Sequence, residues 1–420
     1  MHRAGPDDLP WRVEVRMQPS APEPRPDPDP PMGLPVLPEL AAHLAAAADR
    51  TVPEPPGGAR PLRAAACGYF ERRGLGTAAD RVLAGPGAPA LLLALLAAAG
   101  GDVVLPRPCA AWYAPQARLL GRAVHPAPVP AESGGVPDPF TLLEAVHRAR
   151  DAGGDPRVLL LSVADDPTGT CPPPEQLHEV CEAAADEGLW IVSDETRRDL
   201  LHDPHDTVVL SPGEMLPGSV VVLADLRATL VPASWPAALA RFPATGPGEA
   251  LCAATLDALA GLATPLPGPL AAAVGHALAE PAAVRERTAA AARLHGRLAA
   301  GLHRTLTAAG AVCRPPHAGS HLYADLEPLR PVFAAHGVTG PAALERALAP
   351  WAARGGHRFG DDPKALRVRL STEALLAADG DRRRRLLAAP DPLEVSDVAD
   401  SLRELGAALR PGEGSATGGG

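Results

Sequence analysis

Several short stretches of this 420-residue chain combine residue types and spacings that could do chemistry. Residues 84–89, Ala-Gly-Pro-Gly-Ala-Pro, form a glycine turn before an apolar run. Backbone N–H groups at such a turn cradle a phosphate, or the turn only reverses the chain. Residues 165–169, Asp-Asp-Pro-Thr-Gly, make a good turn with two carboxylates, which needs no ligand to explain it. Asp194 and Glu195 end another apolar run, where a carboxylate grips a cation or caps a helix. Ala224-Asp225-Leu226-Arg227 ends the next one. Amine chemistry has one candidate, because Lys364 is the single lysine among 39 basic residues. His202-Asp203-Pro204-His205-Asp206 has the residue types of a metal site but reads as a solvated turn. The six cysteines contain no Cys-x-x-Cys pair, which suits reduced thiols rather than zinc or disulfides.

The segments between these stretches predict the elements that position them. Residues 102–106, 157–163, 189–195 and 219–225 are short apolar runs of the kind found in a doubly buried parallel sheet. Residues 89–100, 139–154 and 173–188 read as helices, the last with Leu177, Val180, Cys181 and Ala184 on one face. Strand–helix–strand alternation argues for an open α/β sheet, in which ligands sit at the carboxyl ends of the strands. Residues 269–310 are Ala-rich and helical, and 311–371 hold strand patterns closed by a helix near 393–409. The predicted organisation is a disordered Pro-rich arm over 1–38 and a large α/β domain over 39–268. An interdomain helix and small α+β domain follow over 269–410, then a flexible tail over 411–420. Within the 39–268 span, residues 39–58 are expected to join the small domain.

The order and spacing of these stretches resemble the class I/II aminotransferases, fold type I enzymes dependent on pyridoxal phosphate (PLP). The resemblance covers about residues 40–410. Its most specific part runs from Asp165 to Leu200: a Pro-Thr-Gly turn, a helix, an apolar strand, then Asp-Glu. "VRLS" at 368–371 resembles the family's closing strand. The resemblance implies that Asp194 faces the cofactor's pyridine nitrogen. It also implies that Gly87 and Ala88 face the phosphate and that Arg369 grips a substrate carboxylate, with Arg367 as a possible substitute. Elsewhere the chain departs from the family. Arg227 stands at the lysine position, and a guanidinium stays protonated and forms no imine. Asp166 replaces an asparagine donor, Arg197 a tyrosine, Ala224 a serine, Trp235 a phosphate-binding arginine, and Ala110 the stacking aromatic, for which Trp112 or Tyr113 is the possible substitute. Pro89 has no N–H to offer.

The implied cofactor is therefore PLP, not held as an internal aldimine. No catalytic residue is assigned and no metal is expected. The expected function is an aminotransferase-like protein with a degenerate site. Such a protein would act as a non-catalytic partner in a homodimer or heterodimer with a related subunit, or bind a small anionic metabolite through Arg197, Arg227 and Arg369. The alternative is a PLP-dependent aminotransferase acting on an amino acid. A net charge of −10 argues against nucleic acid. No apolar run is long enough to span a bilayer, so a cytoplasmic location is expected.

Overall fold

The computed structural model describes residues 35–130, 133–376 and 380–410. The expected arm lies outside these residues as far as 34, and the expected tail wholly so; Pro38 already opens a helix, Pro38–Ala46. Seven strands form the large sheet: β1 (Val82–Gly85), β2 (Asp102–Arg107), β3 (Val124–Pro128), β4 (Pro156–Ser162), β5 (Trp190–Asp194), β6 (Val220–Asp225) and β7 (Ala238–Arg241). Their order is β1-β7-β6-β5-β4-β2-β3. Strands β3, β2, β4, β5 and β6 are parallel, and β7 runs antiparallel between β6 and β1. Two antiparallel steps restore direction, so the carboxyl end of β1 lies at the same sheet edge as those of β4, β5 and β6.

Strand β6 is buried at every position, which explains its unbroken apolar reading. Helices cover both faces. Leu91 of helix Ala88–Ala99 and Leu251 of helix Gly246–Leu262 pack on one face with Val103, Leu160 and Val221. Leu142 and Val146 of helix Pro139–Asp151, with Leu177 and Val180 of helix Pro174–Asp186, pack on the other with Leu159, Ile191 and Val222. Alternate residues of each strand serve opposite faces, as the pleat requires.

The second core lies around an antiparallel sheet ordered β10-β11-β9-β8: β8 (Val312–Cys313), β9 (His321–Asp325), β10 (Arg354–Gly355) and β11 (Arg367–Ser371). It gathers Leu322, Leu326, Val368, Leu370 and Leu405. Helix Ala282–Ala308 serves both cores, with Val284 in the first and Leu294 to Leu306 in the second. Leu40 packs into the first core, as do Leu270, Ala271 and Val274 of helix Gly268–Leu278. The apolar contacts of residues 40 and 270–278 thus belong to the large sheet, where the sequence reading had joined 39–58 to the small domain and begun the next region at 269.

The two cores are stitched together by backbone. The N–H groups of His317 and Ala318 donate to the Gly169 carbonyl at 2.7 and 2.9 Å. His202 N–H donates to His317 O (2.8 Å), and Gly319 N–H to Leu200 O (2.9 Å). Gly169 has φ +71°, and a Cβ there would lie 2.3 Å from the His321 carbonyl oxygen. Only glycine fits that close approach. The Pro-Thr-Gly turn is thus a docking surface for the small domain.

Candidate active site

The carboxyl edge of the large sheet brings together the stretches singled out in the sequence. Asp165 and Asp166 follow β4, Asp194 ends β5, Asp225 ends β6, and Gly87 leads from β1 into helix Ala88–Ala99. Small-domain strands contribute His321 and Arg369.

At β6, Asp225 is the organising residue. Its Oδ2 accepts the Ala88 N–H at 3.0 Å and Arg227 Nη2 at 2.7 Å. Its Oδ1 accepts Arg227 Nε at 2.8 Å and the Arg227 backbone N–H at 3.0 Å. A planar guanidinium and a carboxylate suit this two-pronged contact. The helix start favours a negative group at the same point. The pairing holds the Arg227 guanidinium above its already high ordinary pKa. Gly87 has φ +117°, and a Cβ there would meet Arg227 Nη2 and Asp225 Oδ2, each at 3.7 Å. Gly87 thus lies beside Arg227, and the Ala88 N–H is held by a carboxylate of the chain itself.

Asp194 is buried at the end of β5. The Tyr113 hydroxyl donates to its Oδ2 at 2.6 Å, and the Thr196 N–H to its Oδ1 at 3.0 Å. Burial raises the Asp194 pKa, opposed by these two hydrogen bonds. Thr196 also ties the neighbouring strand end, because the Asp225 N–H donates to its hydroxyl at 3.1 Å. Tyr113 opens helix Tyr113–Leu119 and is itself buried.

Asp166 crosses the domain boundary. Its Oδ1 accepts Arg369 Nη1 at 2.9 Å and lies 3.5 Å from His321 Nδ1, while Oδ2 lies 3.0 Å from Arg197 Nη1. Asp166, Arg369 and His321 are each no more than 5% exposed. Burial alone would push the Asp166 carboxyl up, but the guanidinium groups of Arg197 and Arg369 hold it well below the carboxylate range. Burial and the same two guanidinium groups keep His321 well below its ordinary value, against the pull of Asp166. Asp165, its neighbour, is pushed up to about 7 by burial, against the hydrogen bonds donated by Thr168 Oγ1 (2.6 Å) and N–H (3.2 Å).

The remaining positions meet other groups of the chain or solvent. Ala224 and Ala110 lie in apolar cores, and Trp235 packs against the first one. Arg367 pairs with Asp325 (3.1 Å) and Asp361 (2.9 Å) within the small domain. Lys364 is exposed on the loop before β11. His202 Nε2 lies 2.8 Å from the Gly319 carbonyl, so the His-Asp turn serves the domain junction. Among the described residues no group of three His, Cys, Asp or Glu side chains is arranged to hold a metal. Sequence reading gave no role to Asp225, Asp165 or His321. The Asp-x-Arg spacing at 225–227 was the available signal for the first, since a carboxylate at a strand end can turn back onto the second residue after it.

Residues 34–227 match the family model described as aminotransferase class I and II. The chain is 29% identical over 181 residues to the aspartate/prephenate aminotransferase of Thermus thermophilus, covering 42% of this chain and 45% of that protein. It is 26% identical over 199 residues to a probable aspartate/prephenate aminotransferase of Thermus aquaticus, covering 46% and 50%. These matches span about half the length of the curated relatives. Among solved structures, an aspartate aminotransferase from Thermus thermophilus with maleate superposes with TM-score 0.71 at 23% identity, over 85% of this chain and 88% of that one. An aromatic aminotransferase from Pyrococcus horikoshii superposes with TM-score 0.69 at 17% identity, over 89% and 94%.

Proposed function

We propose, from the match of residues 34–227 to the class I and II aminotransferase model and from the shared fold, that the chain is an aminotransferase-like protein whose cofactor site is degenerate and does not catalyse transamination. The observation that supports this reading is Arg227 paired with Asp225 at 2.7 Å; the resemblance sets Arg227 against the family's lysine. A guanidinium stays protonated at any working pH and is no nucleophile toward an aldehyde. Lys364, exposed on a small-domain loop, offers no replacement.

The other residues present do not fit PLP either. The place for a donor to the cofactor's phenolic oxygen holds Asp166, an ionised carboxylate that only accepts hydrogen bonds. The N–H at the start of helix Ala88–Ala99 is engaged by Asp225, and Pro89 beside it has none.

The proposed role is that of a non-catalytic partner, in a homodimer or with a related subunit, in the cytoplasm. Among the described residues no helix is long and apolar enough to cross a membrane. Binding of a small anionic metabolite is the second form of this reading. It draws less support, because Arg227, Arg197 and Arg369 each already hold a carboxylate of the chain. The alternative, a working aminotransferase, is favoured by the retained Asp194, the Pro-Thr-Gly turn and Arg369. The test is turnover with added PLP, a range of amino-acid donors and 2-oxo acid acceptors. We expect none above background, and turnover at an ordinary enzymatic rate would overturn the proposal.

A further inference from the structure

We propose that the cleft is self-liganded: the carboxylates of Asp225 and Asp166 occupy the places where an external oxyanion and an external carboxylate would bind, so the wild-type chain takes up neither. This rests on the non-catalytic reading and extends it from lost chemistry to lost binding.

The donors around Asp225 make an oxyanion cradle. A helix-start N–H and a guanidinium converge on one point, which is the chemistry that holds phosphate. Here that point is filled by Asp225, with both carboxylate oxygens engaged. The donors around Asp166 make a carboxylate clamp of two guanidinium groups. That point is filled as well. Both internal carboxylates are covalently tethered beside their partners, so they compete at a high effective concentration against any free ligand. Displacing either one would leave a buried carboxylate without its partner, which is costly. Asp225 is 6% exposed and Asp166 is 5% exposed, so water would not compensate for the loss. The Asp166 contact also spans the two domains, since Arg369 lies on β11 and Asp166 follows β4. The internal ligand therefore ties the small domain to the large one.

The experiment uses the full chain, with Asp225→Ala and Asp166→Asn as separate variants. Thermal unfolding is followed in inorganic phosphate and, separately, in maleate, against chloride at matched ionic strength. A ligand that binds only the native state raises the midpoint as its concentration rises. We expect the wild-type midpoint to move no further than in chloride. The Asp225→Ala midpoint should climb with phosphate, and the Asp166→Asn midpoint with maleate. Should Asp225→Ala fail to fold, Asp225→Asn removes the charge with less change of shape and is read in the same way. Adding Arg227→Ala to the Asp225 variant should abolish its response to phosphate. A wild-type midpoint that climbs like the variants', or variants that respond to neither anion, would overturn the proposal. Failure of the non-catalytic reading shows differently, as turnover in the wild-type chain whatever its response to phosphate.

Discussion

At the scale of single residues, the account turns on which group answers each charge. Arg227 and Asp225 neutralise each other, and the same carboxylate holds the Ala88 N–H. Restoring the amine alone should not restore the chemistry. In Arg227→Lys the ammonium would face Asp225 and be kept protonated by it. We expect borohydride to fix no PLP on this variant, as read by intact mass; a fixed adduct would show that Asp225 does not command the position. A second prediction concerns Asp165, whose carboxyl is pushed up to about 7 by burial. Between about pH 4 and pH 7 the native chain keeps a proton that the unfolded chain has lost. The contribution of Asp165 to stability therefore falls as pH rises through that window, by roughly 4 kcal/mol, while buried His295 and His321, whose native pKa values are depressed, add stability as pH rises. Asp166 works in the opposite sense, and only below about pH 4, because its native pKa is depressed. Relative to the wild type, Asp165→Asn should gain urea-denaturation stability as pH rises from 5 to 7.5. A difference between the two chains that does not change with pH would contradict this account of Asp165. The sequence made the residues legible but not their partners. Asp225 sits in plain view two places before Arg227, yet its contact with Ala88 joins positions 137 residues apart.

At the scale of elements, turns and strand ends carry the site, and each makes a specific demand. Gly87 takes φ +117°, where an L side chain is strained. Gly87→Ala should cost about 1–3 kcal/mol in denaturant unfolding, a typical magnitude for such strain. A loss within about 0.5 kcal/mol would mean that the turn relaxes. The β11 arginine makes a different demand. Removing Arg369 leaves Asp166 with Arg197 as its remaining strong cation, so Arg369→Met should cost about 3 kcal/mol. Long apolar runs were legible in advance. Strands β2, β4, β5 and β6 and the helices after β1 and β4 follow from periodicity, because a doubly buried strand is apolar throughout. Strands β1, β3, β7 and β10 were not read. Strand β1 is four residues long and ends in glycine, and β7 is Ala-Leu-Ala-Arg, without a β-branched side chain. Strand β3 contains two prolines and sits at the sheet edge, where they are tolerated. Strand β10 is only two residues long. Such segments become strands through their neighbours, not through their own propensity.

At the scale of the whole molecule, two cores share one long helix and meet across a buried ionic contact. The backbone bonds from His317 and Ala318 to Gly169 add to that junction. The fold keeps the family's frame while the groups along its cleft bind one another. This is why a resemblance to the family can be read from the Asp165–Leu200 stretch even though that resemblance sets Arg227 against a lysine. The frame is specified by many apolar positions, whereas the chemistry rests on a few polar ones. The measurement that tests the central claim most directly is PLP titration of the wild-type protein, followed by borohydride reduction and intact mass. The account predicts no saturable change in PLP absorbance and no mass increase after reduction. A saturable shift with one PLP fixed per chain would contradict it, by showing that an amine of this chain reaches the cofactor.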